Sequence, residues 1–137
     1  MTTARDIMHE GARCVGEHES MADAARIMRD LNVGALPICG DDDRLRGMVT
    51  DRDIAVRCIA EGYDPDQCQS GEFAQGKPYY VDADADTDEV LSSMIQHRVR
   101  RLPVVESHRL VGIISEGDLA KRLPDRVSDF LAAVTTA

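Results

Sequence analysis

The sequence predicts a mixed α/β (α+β) fold, built from two pseudo-symmetric β-α-β-β-α repeats that pack as one module. The first observation is an internal duplication, since Val15 to Arg57 recurs in altered form as Val81 to Arg122, an offset of 66 residues. The second is that both copies show the same order of signals: strand, helix, strand, strand and helix. A duplication of this kind predicts two pseudo-equivalent sites. The positions that match at this offset include Met28 with Met94, Val33 with Val99, Leu36 with Leu102 and Pro37 with Pro103.

The length of 137 residues is that of one ordinary domain. Two separate domains of roughly 65 residues would each be marginally stable, so we expect the repeats to share one hydrophobic core. We place the first repeat, with a lead-in and a connector, at 1–68, the second at 69–124, and a C-terminal helix or tail at 125–137. The connector, Glu61 to Lys77, is rich in Gly, Asp, Gln and Pro, and we expect a short helical turn near Asp66 to Phe73.

The first helix of each repeat is predicted from its capping residues and its apolar stripe. Ser20 and Asp23 form a capping-box pattern in the first copy, and Asp86 and Glu89 take their places in the second. The first copy has apolar residues at i, i+3, i+4 and i+7, which predicts one apolar face lying against a sheet. These residues are Ala24, Ile27, Met28 and Leu31.

A β-hairpin is predicted after the first helix of each repeat. Ala35 to Cys39 and Leu45 to Thr50 are short β-prone runs joined by the polar turn Gly40 to Asp43. Leu102 to Val105 and Leu110 to Ser115 repeat this arrangement. A second helix is expected directly after each hairpin.

Two further segments lie outside this pattern. Asp6 to Met8 lies 66 residues before Glu72 to Ala74, which indicates that each repeat has a short apolar lead-in. Asp125 to Ala133 follows Pro124 and is expected to form a terminal helix.

Composition limits the classes of function. The chain has 25 acidic and 16 basic residues, and its net charge of −9 repels phosphate backbones. No basic stripe with interleaved aromatic residues offsets this charge, so we expect no nucleic-acid partner. The N-terminus lacks a signal-peptide pattern, and no stretch approaches the ~18 apolar residues of a membrane span. We therefore expect a cytoplasmic protein without membrane association. No recognisable catalytic set is present, so we do not expect an enzyme.

The four cysteines, Cys14, Cys39, Cys58 and Cys68, include no C-x-x-C pair, and reduced core or surface thiols are the first interpretation. Cys14 lies beside the first strand and Cys39 ends the next, so a disulfide between them is an alternative that would contribute ~3 kcal/mol. A zinc ion at an interface is another, because Cys14 with His18, or Cys39 with a distant His, could converge in space.

Each hairpin ends in a pattern that places a hydroxyl and a carboxylate at the start of the next helix. The pairs are Thr50 with Asp53 and Ser115 with Asp118. Helix capping, worth ~1 kcal/mol for each helix, is enough to account for them. The same geometry also offers free backbone N–H groups and suits a phosphate and a ribose diol. Both interpretations stay open.

The repeat order, the two Leu-Pro strands and the Gly-x-x-Thr/Ser-x-x-Asp ends resemble a tandem pair of CBS (cystathionine β-synthase) domains over nearly the whole chain. The resemblance implies two repeats related by pseudo-twofold symmetry, with clefts that in many members bind AMP, ATP or related adenosyl ligands such as S-adenosylmethionine. It implies that Asp53 or Asp118 holds ribose hydroxyls and that Thr50 or Ser115 lies near phosphate. It also implies a flat homodimer formed through helices and a stand-alone regulatory module, with no required cofactor, that acts on an unknown protein partner.

The two sites are expected to differ in positive charge. Arg100 and Arg101 open the second hairpin where Gly34 and Ala35 open the first, whereas a phosphate beside Thr50 would find only Arg52. Family members often use basic residues there to meet phosphate, which favours the Asp118 site over the Asp53 site. A solvated strand end that balances the acidic surface is the alternative. The leading hypothesis is a sensor of an adenine nucleotide, and the second is a stress-response structural or redox protein that binds none.

Overall fold

The computed structural model describes residues 1–10, 12–74 and 78–134. Its contacts divide the chain into a middle unit, Arg13–Pro78, and a terminal unit made of Met1–Ala12 and Tyr79–Ala137. In chain order the elements are α1 (Ala4–Ile7), β1 (His9–Glu10), β2 (Val15–Gly16), α2 (Met21–Leu31), β3 (Ala35–Cys39), β4 (Leu45–Thr50), a π-helix (Asp53–Ile59), a 3-10 helix (Ser70–Phe73), β5 (Val81–Asp82), α3 (Thr87–His97), β6 (Arg101–Glu106), β7 (Arg109–Ser115), α4 (Glu116–Arg122), a second 3-10 helix (Pro124–Arg126) and α5 (Val127–Val134).

The middle unit has a three-stranded sheet in the order β2-β3-β4. β3 is buried along its whole length, pairs antiparallel with β4 and runs parallel to β2. The backbone N–H of Asp23 donates to the Ser20 hydroxyl at 3.0 Å and starts α2, as the sequence predicts. The prediction that Leu31 belongs to the buried stripe is wrong. Leu31 is 47% exposed, because α2 ends there and Asn32 turns the chain in a left-handed conformation.

The terminal unit has a four-stranded sheet in the order β1-β7-β6-β5. β6 and β7 form the predicted hairpin, and β5 runs parallel to β6. The lead-in α1 is anchored here, since Ala4 and Ile7 are buried and the backbone N–H of Ala4 donates to Ala85 O at 2.8 Å. α3 begins at Asp86, whose side chain accepts from the backbone N–H of Glu89 at 2.9 Å.

The predicted mixed α/β order of the two repeats is confirmed. The middle unit buries a cluster that includes Val15, Leu36 and Ile38. The terminal unit buries a cluster that includes Leu102 and Phe130, the latter on the predicted terminal helix α5. The expectation of one core shared by the repeats stays a prediction.

The two lead-in segments have equivalent places in the two units. α1 and the 3-10 helix Ser70–Phe73 are 66 residues apart, and each is followed by a close approach to a hairpin glycine. A Cβ atom at Gly47 would lie 2.8 Å from Ala74 Cβ, and a Cβ atom at Gly112 would lie 2.7 Å from His9 O. A side chain does not fit at either position, so these glycines allow each lead-in to lie directly on its hairpin.

The second helix of each repeat differs between the units. Ser115 is followed by the regular helix α4, whereas the helix after Thr50 continues as a π-helix, in which the backbone N–H of Ala60 donates to Ala55 O at 2.9 Å. π-turns of this kind are rare and occur frequently at functional sites. In the part of the chain that the structure describes, no helix combines the length and the apolar character needed to span a bilayer.

The connector contains the short helix Ser70–Phe73 in the region where a helical turn is predicted. Residues 75–77 of the connector lie outside the described residues. The repeat boundaries at 1–68, 69–124 and 125–137 stay a prediction, because the two units describe packing contacts rather than the duplication of the sequence.

Candidate functional site

The start of α4 joins a hydroxyl and a buried carboxylate. The backbone N–H and the hydroxyl of Ser115 donate to Oδ2 of Asp118, at 2.8 and 2.9 Å. In return, the backbone N–H of Asp118 donates to the Ser115 hydroxyl at 3.2 Å. Asp118 is only 5% exposed. The predicted capping box is therefore present, and it occupies one of the two carboxylate oxygens.

The other carboxylate oxygen of Asp118 faces His9 of β1. His9 Nε2 lies 2.6 Å from Asp118 Oδ1, and the imidazole is 67% exposed whereas the carboxylate is 7% exposed. β1 is held antiparallel to β7 with His9 opposite Ile113, which fixes the direction of the imidazole. His9 was not predicted from the sequence as a site residue. A ligand that approaches Oδ1 of Asp118 must displace this imidazole.

Two arginines lie beside the same helix end. Arg100 Nη1 donates to Glu116 Oε2 at 3.0 Å, and the backbone N–H of Glu116 donates to Arg100 O at 3.0 Å. Arg101 lies directly opposite Ser115 in the pairing of β6 with β7. The structure thus brings Arg100, Arg101, Ser115 and Asp118 together in one unit.

The equivalent helix end in the middle unit begins at Thr50. The backbone N–H of Thr50 donates to Asp53 Oδ2 at 2.9 Å, and the backbone N–H of Asp53 donates to the Thr50 hydroxyl at 3.0 Å. Oδ1 of Asp53 faces Arg57, whose Nη1 lies 3.5 Å away. Arg57 Nη1 also donates to Phe73 O at 3.5 Å, and its guanidinium carbon lies 5.2 Å from the Phe73 ring centroid.

The two helix ends therefore differ in the group that meets the second carboxylate oxygen. Arg57, which was not predicted as a residue of this site, contacts Asp53 from one helical turn further on. The i, i+4 spacing of Asp53 and Arg57 was the signal that could have identified this pair. The Asp53 side chain is 21% exposed, so this carboxylate is more open to solvent than that of Asp118.

Cys14 precedes β2 and Cys39 ends β3, two paired strands, and both are free thiols in the structure. A hydrogen bond from Cys39 lowers the pKa of Cys14 to about 7. The same hydrogen bond, together with burial, raises the pKa of Cys39. The opposite shifts favour the thiolate of Cys14 over that of Cys39, which makes Cys14 the more reactive thiol of the two. The disulfide between them stays a prediction.

The possible zinc ligands have other neighbours. Cys39 is the neighbour that shifts the pKa of Cys14 most, and Nδ1 of His18 lies 3.4 Å from Gln69 Oε1. Among residues 1–10, 12–74 and 78–134, no three His, Cys, Asp or Glu side chains lie close enough together to hold a metal ion. A zinc ion at an interface between chains stays a prediction.

Comparison with known proteins supports the family resemblance. The model of the CBS domain matches the chain twice, at residues 4–59 and 71–125. The first match begins with α1 and the second begins within the 3-10 helix Ser70–Phe73. Both lead-in segments thus belong to the repeated pattern.

Individual relatives cover nearly the whole chain. Hypoxic response protein 1 of Mycobacterium tuberculosis is 54% identical over 135 residues, which are 98% of this chain and 94% of that protein. The crystal structure of Hypoxic Response Protein I with two coordinated zinc ions matches with a TM-score of 0.85 and 57% identity, covering 90% of this chain and 100% of the other. CBSX2 in complex with AMP matches with a TM-score of 0.77 over 91% of this chain and 98% of that one. Its identity of 23% establishes a common fold only.

Proposed function

The chain belongs to the CBS domain family, and from this premise we propose that it is a regulatory module that senses an adenine nucleotide of the AMP, ATP or S-adenosylmethionine type. Binding would alter the action of a separate protein partner, with no catalytic step. The observation that carries the proposal is the start of α4, where Ser115, Asp118, Arg100 and Arg101 lie together. The AMP complex of CBSX2 supports this ligand class by analogy of fold.

In the proposed complex, the ribose hydroxyls donate to Oδ1 of Asp118 while Oδ2 keeps its bonds with Ser115. The cap of α4 is therefore retained when the ligand binds. Arg100 and Arg101 donate to the phosphate, because a planar guanidinium can form two parallel hydrogen bonds with phosphate oxygens. The Arg100 guanidinium then gives up its hydrogen bond to Glu116 and donates to the phosphate instead.

Regulation requires that the ligand bind two arrangements of the protein with different affinity. His9 is well placed to produce such a difference, because its imidazole occupies the carboxylate oxygen that the ribose would take. It lies on β1, a two-residue strand at the edge of the terminal sheet. Displacing His9 from Asp118 would remove a side-chain contact that holds this strand.

Thr50 and Asp53 form the second proposed site. Their capping box has the same geometry, and the Asp53 carboxylate is more exposed than that of Asp118. Arg57 supplies a permanent positive charge there, but it already bonds Asp53 and Phe73 O. We therefore place the Asp118 site first and the Asp53 site second.

Isothermal titration calorimetry with AMP, ATP and S-adenosylmethionine tests the proposal. We expect binding of at least one ligand, and we expect Asp118→Asn to weaken it at least about tenfold, because a hydrogen bond to a charged group contributes about 1.5–3 kcal/mol. Asp53→Asn is the matched control and leaves the first site unchanged. The absence of heat with all three ligands at millimolar concentration would reject a nucleotide sensor. A loss of binding in Asp53→Asn alone would place the site at the other helix end.

A second candidate function is that of a redox protein, and the contact between Cys14 and Cys39 favours it. We propose that this pair forms a disulfide under oxidising conditions, in a protein that acts in the response to hypoxia, as the name of its relative indicates. Thiol counting on freshly reduced and on air-exposed protein tests this function. Four free thiols in both samples would reject it.

We also propose a homodimer formed through the helices of the middle unit. α2 and the π-helix line a groove of about 470 Å³. Val33 and Ile59 line it and are exposed, and Leu31 and Val56 are further exposed apolar residues of these two helices, as expected for an interface. Sedimentation analysis of Ile59→Glu is expected to show a monomer, whereas Leu131→Glu, an exposed apolar position of the terminal unit, stays dimeric. A monomeric parent protein at tens of micromolar would contradict the dimer. The exposed apolar residues are Leu31, Val33, Val56 and Ile59.

A further inference from the structure

The middle unit contains a second pair of thiols, Cys58 and Cys68, to which neither proposed function assigns a role. Cys58 lies near the end of the π-helix and is completely buried, whereas Cys68 lies in the connector and is partly exposed. The Cys68 side chain packs against the core cluster that contains Cys58, and it is close enough to Cys58 to raise the pKa of that thiol. Both are in contact with the core of the unit.

The backbone holds the two ends of the intervening loop in place. The backbone N–H of Tyr63 donates to Cys58 O at 3.0 Å, and the Cys58 thiol contacts Tyr63 O at 3.8 Å. On the other side, the backbone N–H of Cys68 donates to Asp64 O at 3.1 Å, and that of Met21 donates to Cys68 O at 2.9 Å. The connector is therefore anchored both to the π-helix and to the start of α2, and this anchoring holds Cys68 in the neighbourhood of Cys58.

We propose that Cys58 and Cys68 form a dithiol modification site that a low-molecular-weight disulfide converts to an intramolecular disulfide. The thiolate of Cys68 attacks the small disulfide, forming a mixed disulfide and releasing one small thiol. The thiolate of Cys58 then attacks the sulfur of Cys68, which closes the protein disulfide and releases the second small thiol. Two protein thiols are oxidised and one small disulfide is reduced to two thiols, so electrons and protons balance.

The order of the two steps follows from exposure and charge. Cys68 is the thiol that a solute can reach, because Cys58 has no exposed surface. Burial raises the pKa of Cys58, and the hydrogen bond and the charge of Cys68 raise it further. Conversion of Cys68 to a mixed disulfide removes that negative charge and thereby favours the ionisation of Cys58 for the second step.

The bond would join the connector to the π-helix, the element that also carries Asp53 and Arg57. Arg57 precedes Cys58 and bonds both Asp53 and Phe73 O. Oxidation would therefore restrict the motion of the helix that begins at the second proposed site. The modification itself does not depend on nucleotide binding, nor on the pair Cys14 and Cys39.

Peptide mapping of the full chain with oxidised glutathione as the probe tests the proposal. After incubation and acid quenching, free thiols are blocked with N-ethylmaleimide and the protein is cut with trypsin and Glu-C. Cleavage after Arg57, Glu61 and Glu72 separates Cys58 on 58–61 from Cys68 on 62–72. We expect these two peptides to accumulate as one disulfide-linked species. Recovery of both as maleimide adducts, or linkage of either to Cys14 or Cys39, would overturn the proposal.

Two variants separate the steps. In Cys58→Ala the second thiol is missing, so we expect a persistent glutathione adduct on Cys68. In Cys68→Ala the accessible thiol is missing, so we expect Cys58 to stay unmodified. Rapid glutathionylation of Cys58 in the second variant would contradict the proposed order. The mapping of the parent protein decides the proposal on its own if either variant does not fold.

Discussion

Replacing Asp118 with alanine removes a carboxylate that has two separate partners. Oδ2 accepts the backbone N–H and the hydroxyl of Ser115 at 2.8 and 2.9 Å, and Oδ1 faces His9 Nε2 at 2.6 Å. Asp53 has the same place in the other repeat, with one donor on Oδ2 and Arg57 at 3.5 Å from Oδ1. The duplication therefore supplies a matched control for the same substitution within one chain.

The expected losses differ because the two carboxylates differ in burial. Loss of the capping interaction lowers the free energy of unfolding by about 1 kcal/mol at either position. At Asp118, which is 5% exposed, the unpaired donors of Ser115 add about 1–2 kcal/mol, because water replaces the lost acceptor poorly. We therefore expect a loss of about 2–3 kcal/mol for Asp118→Ala and about 1 kcal/mol for Asp53→Ala.

Urea unfolding followed by circular dichroism measures both losses. The midpoint should fall further for Asp118→Ala, with the slope m unchanged, since the surface exposed on unfolding stays the same. Equal losses for the two variants, or a larger loss for Asp53→Ala, would show that the burial of the carboxylate does not determine its contribution.

Three further predictions follow from single contacts. His9→Ala frees Oδ1 of Asp118 and is expected to tighten nucleotide binding about 3- to 10-fold, measured by calorimetry. Weaker binding would mean that His9 does not compete with the ligand. The rate of alkylation of Cys14 by iodoacetamide, followed by mass spectrometry, should rise with pH through a midpoint at about 7, because the thiolate reacts and its pKa is lowered. Cys39→Ala removes the hydrogen bond and should move that midpoint up toward about 8.5, so a midpoint common to both proteins would contradict its cause. Gly47→Ala places a Cβ atom 2.8 Å from Ala74 Cβ and should lower the free energy of unfolding by about 1–3 kcal/mol. In the control Gly117→Ala the nearest atom is 3.5 Å from the new Cβ atom, so the free energy of unfolding should be retained. Equal effects of the two substitutions in urea unfolding would exclude the steric explanation.

The parts of the fold that depend on local interactions were predictable from the sequence. The caps at Ser20 and Asp86, and the hairpin that ends at Ser115, involve residues close together in the chain, and the structure has each of them. The duplication strengthened these predictions, because one pattern recurred with different residues. The lead-in of each repeat was found in the same way.

The interactions that depend on distant residues were not predictable. His9 contacts Asp118 only because β1 pairs with β7, and no spacing in the sequence indicates that pairing. Cys58 and Cys68 meet because the connector turns back onto the π-helix, although their spacing fits no thiol motif. Leu31 continues an apolar period but lies on the last turn of α2, where the chain turns away and the stripe ends.

The two helix ends share the partner of one carboxylate oxygen and differ in the partner of the other. In both units Oδ2 bonds the residue that caps the helix, and loss of this bond weakens the helix start. Oδ1 does not take part in the cap, and its partner differs between the units. It is His9 of an edge strand in the terminal unit and Arg57 of the same helix in the middle unit. The cap therefore constrains one oxygen, and under the proposed function the other is the oxygen that meets the ligand. The partner of Oδ1, rather than the capping pair, should accordingly determine how readily each end accepts a ribose.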